Sequence, residues 1–336
     1  MQSLKSLVTS IDTGTHIMII AIDETGDFNP DSELMSFFVA VLLDQKDNGV
    51  EIKRKQYREW LETIPKEKFN EKGEIKGSDL NDDELLLFVE NVYNPDPVIR
   101  QEVVCFFPKE NPESLMKTFK ALEFENLMKI AELAKQDGKL EMAKQYERMA
   151  IWHKNAKKMH YPHFFKLILL RSLINKAFNT SVGVSILLEM LGDKESTNLL
   201  NICFKIDQDF IRADDPTIYW KELLRNSFIS HTLKNPVTLL DSWKNGHPFV
   251  EKYKGTIEGT LNFKELFKYH CDFLESHEHF EIQIADIIGI IINRFHNRNK
   301  AVNAYNELYK VIKKQELTKL ILNETPNLNT NPIIID

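Results

Sequence analysis

Two short segments at opposite ends of the chain constrain it most. Near the start an apolar run closes in acids, Met18-Ile19-Ile20-Ala21-Ile22-Asp23-Glu24-Thr25-Gly26-Asp27. Near the end an acid sits inside a second apolar run, Ile282-Gln283-Ile284-Ala285-Asp286-Ile287-Ile288-Gly289-Ile290. A carboxylate in apolar surroundings is costly unless something pairs with it. Two such carboxylates can meet only if the fold brings them together, and a divalent metal is the usual reason to do so.

The rest of the chain is consistent with a folded enzyme-sized body. Its 336 residues suffice for one large core or a core with an insertion, and 43% hydrophobic with 28% charged residues is an ordinary globular balance. The 12 glycines and 12 prolines argue against a long linker. A net charge of -7 excludes a generic basic nucleic-acid coat, so any nucleic-acid contact must come from local patches or a metal. The three cysteines, Cys105, Cys203 and Cys271, are widely spaced and odd in number, as expected of reduced buried thiols. No apolar run is long enough to span a bilayer, and Asp12 and His16 interrupt any leader-like core. The expected location is the cytoplasm.

Periodicity predicts a strand over 18–23 and a second, antiparallel one over 35–43. An amphipathic helix is expected over 51–64, ended by Pro65. Asp82, Asp83 and Glu84 open a helix running to about Val92, and 98–107 reads as a third strand. From about 113 to 180 the pattern is helical, with a hairpin turning at Gly138; no second copy marks a repeat array. A fourth strand over 198–207 ends in Asp207. A helix over 219–233, an apolar strand ending near Cys271-Asp272, a helix through Asp286 to about Asn297 and a last helix over 302–315 complete the order. The expected architecture is an α/β fold with a mixed β-sheet flanked by helices: a discontinuous domain, 17–112 and 181–325, a helical insertion, 113–180, and a loose tail, 326–336.

Each candidate acid carries a competing structural reading. Asp23 shares a strand face with Ile19 and Ala21, at the strand's exit; a loop acid satisfied by backbone N–H groups is the alternative. Asp286 has isoleucines in most directions, so its alternative is a buried salt bridge, to Arg294 or another base. Asp207 ends a strand as Asp23 does, and Asp209 competes for its role. Asp79 follows Gly77-Ser78 and is equally suited to N-capping the next helix. Gln283, about one turn before Asp286, is placed to orient it. Two strand-end acids and a helix acid form a carboxylate cage of the kind that holds Mg²⁺ or Mn²⁺. Two such ions about 4 Å apart would activate water and stabilise the leaving oxygen in phosphodiester cleavage. Asn293, Arg294, Asn297 and Arg298 form an edge suited to phosphate, or a solvated helix end. His153, His160 and His163 are read as surface or interface residues.

Ile22-Asp23-Glu24-Thr25-Gly26-Asp27 resembles the Ile-Asp-Glu-Ser-Gly-Asp opening of the domain of unknown function 3800 family. Gln283-Ile284-Ala285-Asp286-Ile287-Ile288-Gly289 resembles that family's closing segment, and Lys76-Gly77-Ser78-Asp79 is similar to its middle Lys-Gly-Ser-acid element. The resemblance implies a ribonuclease H-like fold of bacterial or phage origin, often found near defence genes. It implies metal-binding acids at Asp23, Asp207 and Asp286, with Asp27 and Asp79 as accessories; Glu24 and Gln283 complete the accessory set. Thr25 replaces the usual Ser and keeps the hydroxyl. Asp272-Phe273-Leu274-Glu275-Ser276-His277 departs from the family's Asp-Ser-Lys.

Two classes of function follow. One is a metal-dependent phosphodiester hydrolase, a nuclease on RNA or DNA or a hydrolase of small nucleotides. The other is a non-catalytic interaction protein, binding a partner or a second copy of itself through 113–180.

Overall fold

The computed structural model describes residues 16–29, 31–45, 48–95, 97, 99–106, 112–136, 138, 140–155, 161–190, 199–208, 247–253, 270–312 and 318–320. The helix expected over 219–233, Asp209, His160 and the tail expected over 326–336 lie outside these residues.

Strands β1 (His16–Thr25) and β2 (Ser36–Asp44) are antiparallel, with Asp23 opposite Val39. Helix α1 (Gly49–Leu61) follows, and then α2 (Asp82–Phe88), which continues into a π turn at Val89–Tyr93. Strand β3 (Arg100–Phe106) is antiparallel to β2. Three helices come next, α3 (Pro112–Gln136), α4 (Leu140–Asn155) and α5 (Tyr161–Met190). Strand β4 (Leu199–Asp207) runs parallel to β1, and β5 (Cys271–Leu274) parallel to β4. Between them lies α6 (Pro248–Tyr253). Helices α7 (Phe280–Arg298) and α8 (Val302–Ile312) precede a short edge strand, β6 (Thr318–Leu320), parallel to β3.

Leaving the edge strand aside, the sheet order is 3-2-1-4-5, the order of ribonuclease H-like folds. Strand alternation sends side chains to two cores. Ile19 and Ala21 of β1, with Phe37, Val39 and Val41 of β2, pack under Ile284, Ile287, Ile288 and Ile291 of α7. Ile20 and Ile22, with Phe38 and Ala40, face Phe165, Leu169, Leu173 and Ala177 of α5. Hence α5 is a layer of the fold itself, covering the second sheet face. The hairpin of α3 and α4 turns at Gly138 (φ 73°), as its sequence predicts, and packs onto the same core through Met116, Leu127 and Ala150. His153 is fully buried in α4, contrary to the surface position expected for it. Burial lowers its imidazole pKa to about 4. Cys105 is buried, whereas Cys203 and Cys271 are half-buried; all three are free thiols. Among the described residues no helix is long and apolar enough to cross a membrane.

Candidate functional site

The parallel register of β1 and β4 decides where the acids go. Ile22 is registered with Ile206, so the following residues, Asp23 and Asp207, end side by side. Ile22 and Ile206 both face the α5 core, so Asp23 and Asp207 both face α7. Helix α7 lies on β1, with Gly289 over Thr25: a Cβ there would sit 3.4 Å from Thr25 Cγ2, an ordinary packing distance. One turn before Gly289, α7 presents Asp286.

Asp286 is anchored from the loop ahead of α2. The backbone N–H of Gly77 donates to Asp286 Oδ2 at 2.7 Å. A Cβ on Gly77 would approach Ile290 Cγ1 to 2.9 Å and Asp286 Oδ2 to 3.1 Å, so a glycine is required for this approach. Asp23 is buried and accepts the backbone N–H of Glu24 on Oδ1 at 2.7 Å. Burial holds the Asp23 carboxyl well above the usual aspartate range, and the charges of Asp286, Asp207 and Glu24 raise it further. Burial also raises Asp286, against the opposing pull of the Gly77 N–H and the Lys76 ammonium. Among the described residues neither Asp23 nor Asp286 is ion-paired.

This donor set is all hard carboxylate oxygen, matched to Mg²⁺ or Mn²⁺ rather than to a soft ion. Asp23 is buried and Asp286 half-buried, and a proton or a cation between two such acids would relieve their repulsion. Among the described residues no group of three or more His, Cys, Asp or Glu side chains is placed to hold a metal ion.

The accessory residues divide. Glu24 forms an ion pair with Lys166 of α5 at 2.6 Å, and the same ammonium lies 5.3 Å from the centre of the Phe28 ring. Asp79 is exposed, and its charge adds to the upward pressure on Asp286; α2 is capped instead by Asn81, in a reciprocal capping box with Glu84. Asp27 is exposed and accepts the Asn29 N–H at 3.0 Å, a local turn contact. Gln283 does not orient Asp286. Its Oε1 accepts the Tyr57 hydroxyl at 2.6 Å, and its Nε2 donates to the Ser276 carbonyl at 2.9 Å.

The basic end of α7 is partly engaged within the chain. Arg294 donates to Asp82 Oδ1 at 3.3 Å and to the Ser78 carbonyl at 2.8 Å, so it is not a partner of Asp286. Asn297 bonds both the N–H and the carbonyl of Met35 at 2.8 Å. Asn293 is half-buried and Arg298 exposed.

Sequence reasoning did not single out the ring of polar groups behind Asp286. Glu74 is buried and accepts from Lys76 Nζ at 3.1 Å, from Asn70 Nδ2 at 3.1 Å and from the Ser276 hydroxyl. Nor did it find Lys205, paired with Glu281 at 3.0 Å. Strand alternation was a usable signal there, since Lys205 precedes Asp207 by two positions and shares its face.

No protein-family model, curated protein or solved structure matches this chain.

Proposed function

We propose that this chain is a metal-dependent phosphodiester hydrolase, a nuclease, with Asp23, Asp207 and Asp286 as the residues that hold Mg²⁺ or Mn²⁺. The observation that carries the reading is Asp23. It is a buried carboxyl at the end of β1, without an ion pair among the described residues, and it feels the charges of both Asp207 and Asp286. Acids raised by burial and by one another are characteristic of functional sites. The ribonuclease H-like strand order and the resemblance to the domain of unknown function 3800 family support the same reading. When bound, the metal supplies water activation and charge stabilisation at the leaving oxygen. The chain's part is to fix the three acids: Asp23 through the Glu24 N–H, Asp286 through the Gly77 N–H, and Asp207 through its register beside Asp23.

The test is cleavage of labelled single- and double-stranded RNA and DNA by wild-type and Asp286→Asn protein in Mn²⁺, Mg²⁺ or EDTA. Cleavage that needs metal and disappears in the variant supports the reading and names the substrate. Cleavage of mononucleotides alone would redirect it to small nucleotides.

A second reading, a non-catalytic interaction protein, is favoured by α4. Leu140 and Ile151 stand exposed on that helix, on the hairpin outside the core layer. In that reading Asp286 is a structural acid for the Gly77 N–H, and Asp286→Asn lowers thermal stability whether or not metal is present.

A further inference from the structure

The loop between α1 and α2 is tied to α7 at two points of matched spacing. At one, Gly77 donates its N–H to Asp286 Oδ2 at 2.7 Å. At the other, three residues earlier in the loop, Glu74 accepts the Ser276 hydroxyl. The Ser276 carbonyl accepts Gln283 Nε2 at 2.9 Å, and Gln283 stands three residues before Asp286. The Tyr57 hydroxyl steadies Gln283 from α1 at 2.6 Å. Residues three apart on a helix are neighbours on its surface, so the two attachments lie side by side. Glu74, Ser276, Gln283 and Tyr57 are all buried.

The stretch that carries Glu74 is folded tightly on itself. The Asn70 N–H donates to the Glu74 carbonyl at 2.9 Å, and Asn70 Oδ1 accepts the N–H groups of Lys72 at 2.9 Å and Glu74 at 3.0 Å. Phe69 and Ile75 pair as a bridge across it. A buried carboxylate is costly unless donors surround it. Burial alone would raise the Glu74 carboxyl, but the Ser276 hydroxyl, Lys76 and Asn70 hold it below the usual glutamate range. A buried polar network that is satisfied in this way is rigid. One hydrogen bond lets a loop pivot, whereas a second one a helical turn away does not. Past Gly77, Arg294 holds the Ser78 carbonyl at 2.8 Å at the surface, and Ile75 is buried in the core under α7. Cutting the Glu74 attachment therefore loosens the loop without unseating it.

We infer that Glu74 is a positioning residue of the acid site: through Ser276 it keeps the Gly77 N–H on Asp286, and so sets the affinity of the site for a divalent cation. The inference rests on the metal-dependent reading above and adds to it the device that aims one of its acids.

The test reads the hydrogen bond and the metal separately on the full chain. With 12 glycines, a glycine-selective ¹⁵N spectrum in EDTA resolves the Gly77 amide, assigned by its loss in Gly77→Ala. Its hydrogen exchange is measured in wild type, Glu74→Ala, Ser276→Ala and Ser276→Thr, and Mn²⁺ binding is measured by calorimetry on the same proteins. Glu74→Ala and Ser276→Ala should each quicken Gly77 exchange about tenfold, the effect of losing one hydrogen bond to a charged group. Each should weaken Mn²⁺ about 10- to 100-fold, as loss of a group that orients a metal ligand does. Ser276→Thr keeps the hydroxyl and should retain both properties. The amides of Gly26 and Gly289 should exchange as in wild type, which a general loosening of the fold would not allow. Unchanged Gly77 exchange in both alanine variants would overturn the inference. So would wild-type Mn²⁺ affinity in variants whose Gly77 amide exchanges faster; either result leaves the metal reading standing. Wild-type protein that binds no Mn²⁺ would overturn the underlying reading as well.

Discussion

The N–H of Gly77 donates to Asp286 Oδ2 at 2.7 Å across 209 residues of sequence, joining the loop before α2 to the middle of α7. That bond fixes the acid where a metal would need it, and it depends on the absence of a side chain at 77. Gly77→Ala would place a Cβ 3.2 Å from the Ile287 Cα and closer still to Ile290 Cγ1. Helix backbone cannot yield cheaply, so the substitution should destabilise the protein by about 1–3 kcal/mol and weaken Mn²⁺ binding. Chemical denaturation beside a Mn²⁺ titration checks both; a variant as stable and as metal-competent as wild type would show that the approach is not tight.

The raised Asp23 carboxyl gives a pH dependence of known sign. A carboxyl whose folded pKa lies above its unfolded value binds its proton more tightly when folded. Ionised Asp23 therefore destabilises the metal-free protein at neutral pH. This penalty is relieved as pH falls through the raised value toward the ordinary 3.8. In EDTA, Asp23→Asn is expected to melt above wild type at pH 7, by roughly 2–4 °C per kcal/mol relieved. The gap should close on acidification. A gap that is constant with pH would mean that Asp23 is not under electrostatic strain.

Much of this site was legible in the sequence, for one physical reason. Asp23 and Asp286 stand out because each interrupts an apolar run; β1 and α7 follow from those runs, and β2 and β4 from apolar runs of their own. Asp207 was readable as a strand end, while its competitor Asp209 lies outside the described residues. What escaped depends on contacts distant in sequence. The Glu74–Ser276 bond joins residues 202 apart, and nothing near either one signals it. Asp79 reads as a cap for α2, but Asn81 holds that position because its partner, Glu84, completes the box. The stretch 113–180 reads as a helical insertion, and within it Phe165, Leu169 and Leu173 of α5 join the core under the sheet. His153 reads as a surface residue, yet it is fully buried in α4.

The scaffold behind the site rests on a buried lysine. Lys53 of α1 is fully buried and donates to the Val92 carbonyl at 2.6 Å and the Pro95 carbonyl at 2.5 Å, closing the π turn after α2. Lys53→Met keeps the apolar stem and leaves those carbonyls without this donor. A loss of about 2–4 kcal/mol in urea denaturation is expected, with Mn²⁺ affinity unchanged under conditions where the variant is folded. A neutral effect would mean that water replaces the ammonium.

If Asp23, Asp207 and Asp286 hold a cation, binding it must stabilise the fold. The most direct measurement is the thermal midpoint of wild-type, Asp23→Asn and Asp286→Asn proteins with and without Mn²⁺. A ligand that binds the folded state at one hundred times its Kd adds about 2.7 kcal/mol. The account predicts a clear Mn²⁺-induced rise in wild type that is absent from both variants, with Asp23→Asn starting above wild type in EDTA. Equal midpoints with and without Mn²⁺ in wild type, together with a metal-independent drop in Asp286→Asn, would contradict it and leave the acids a structural hub.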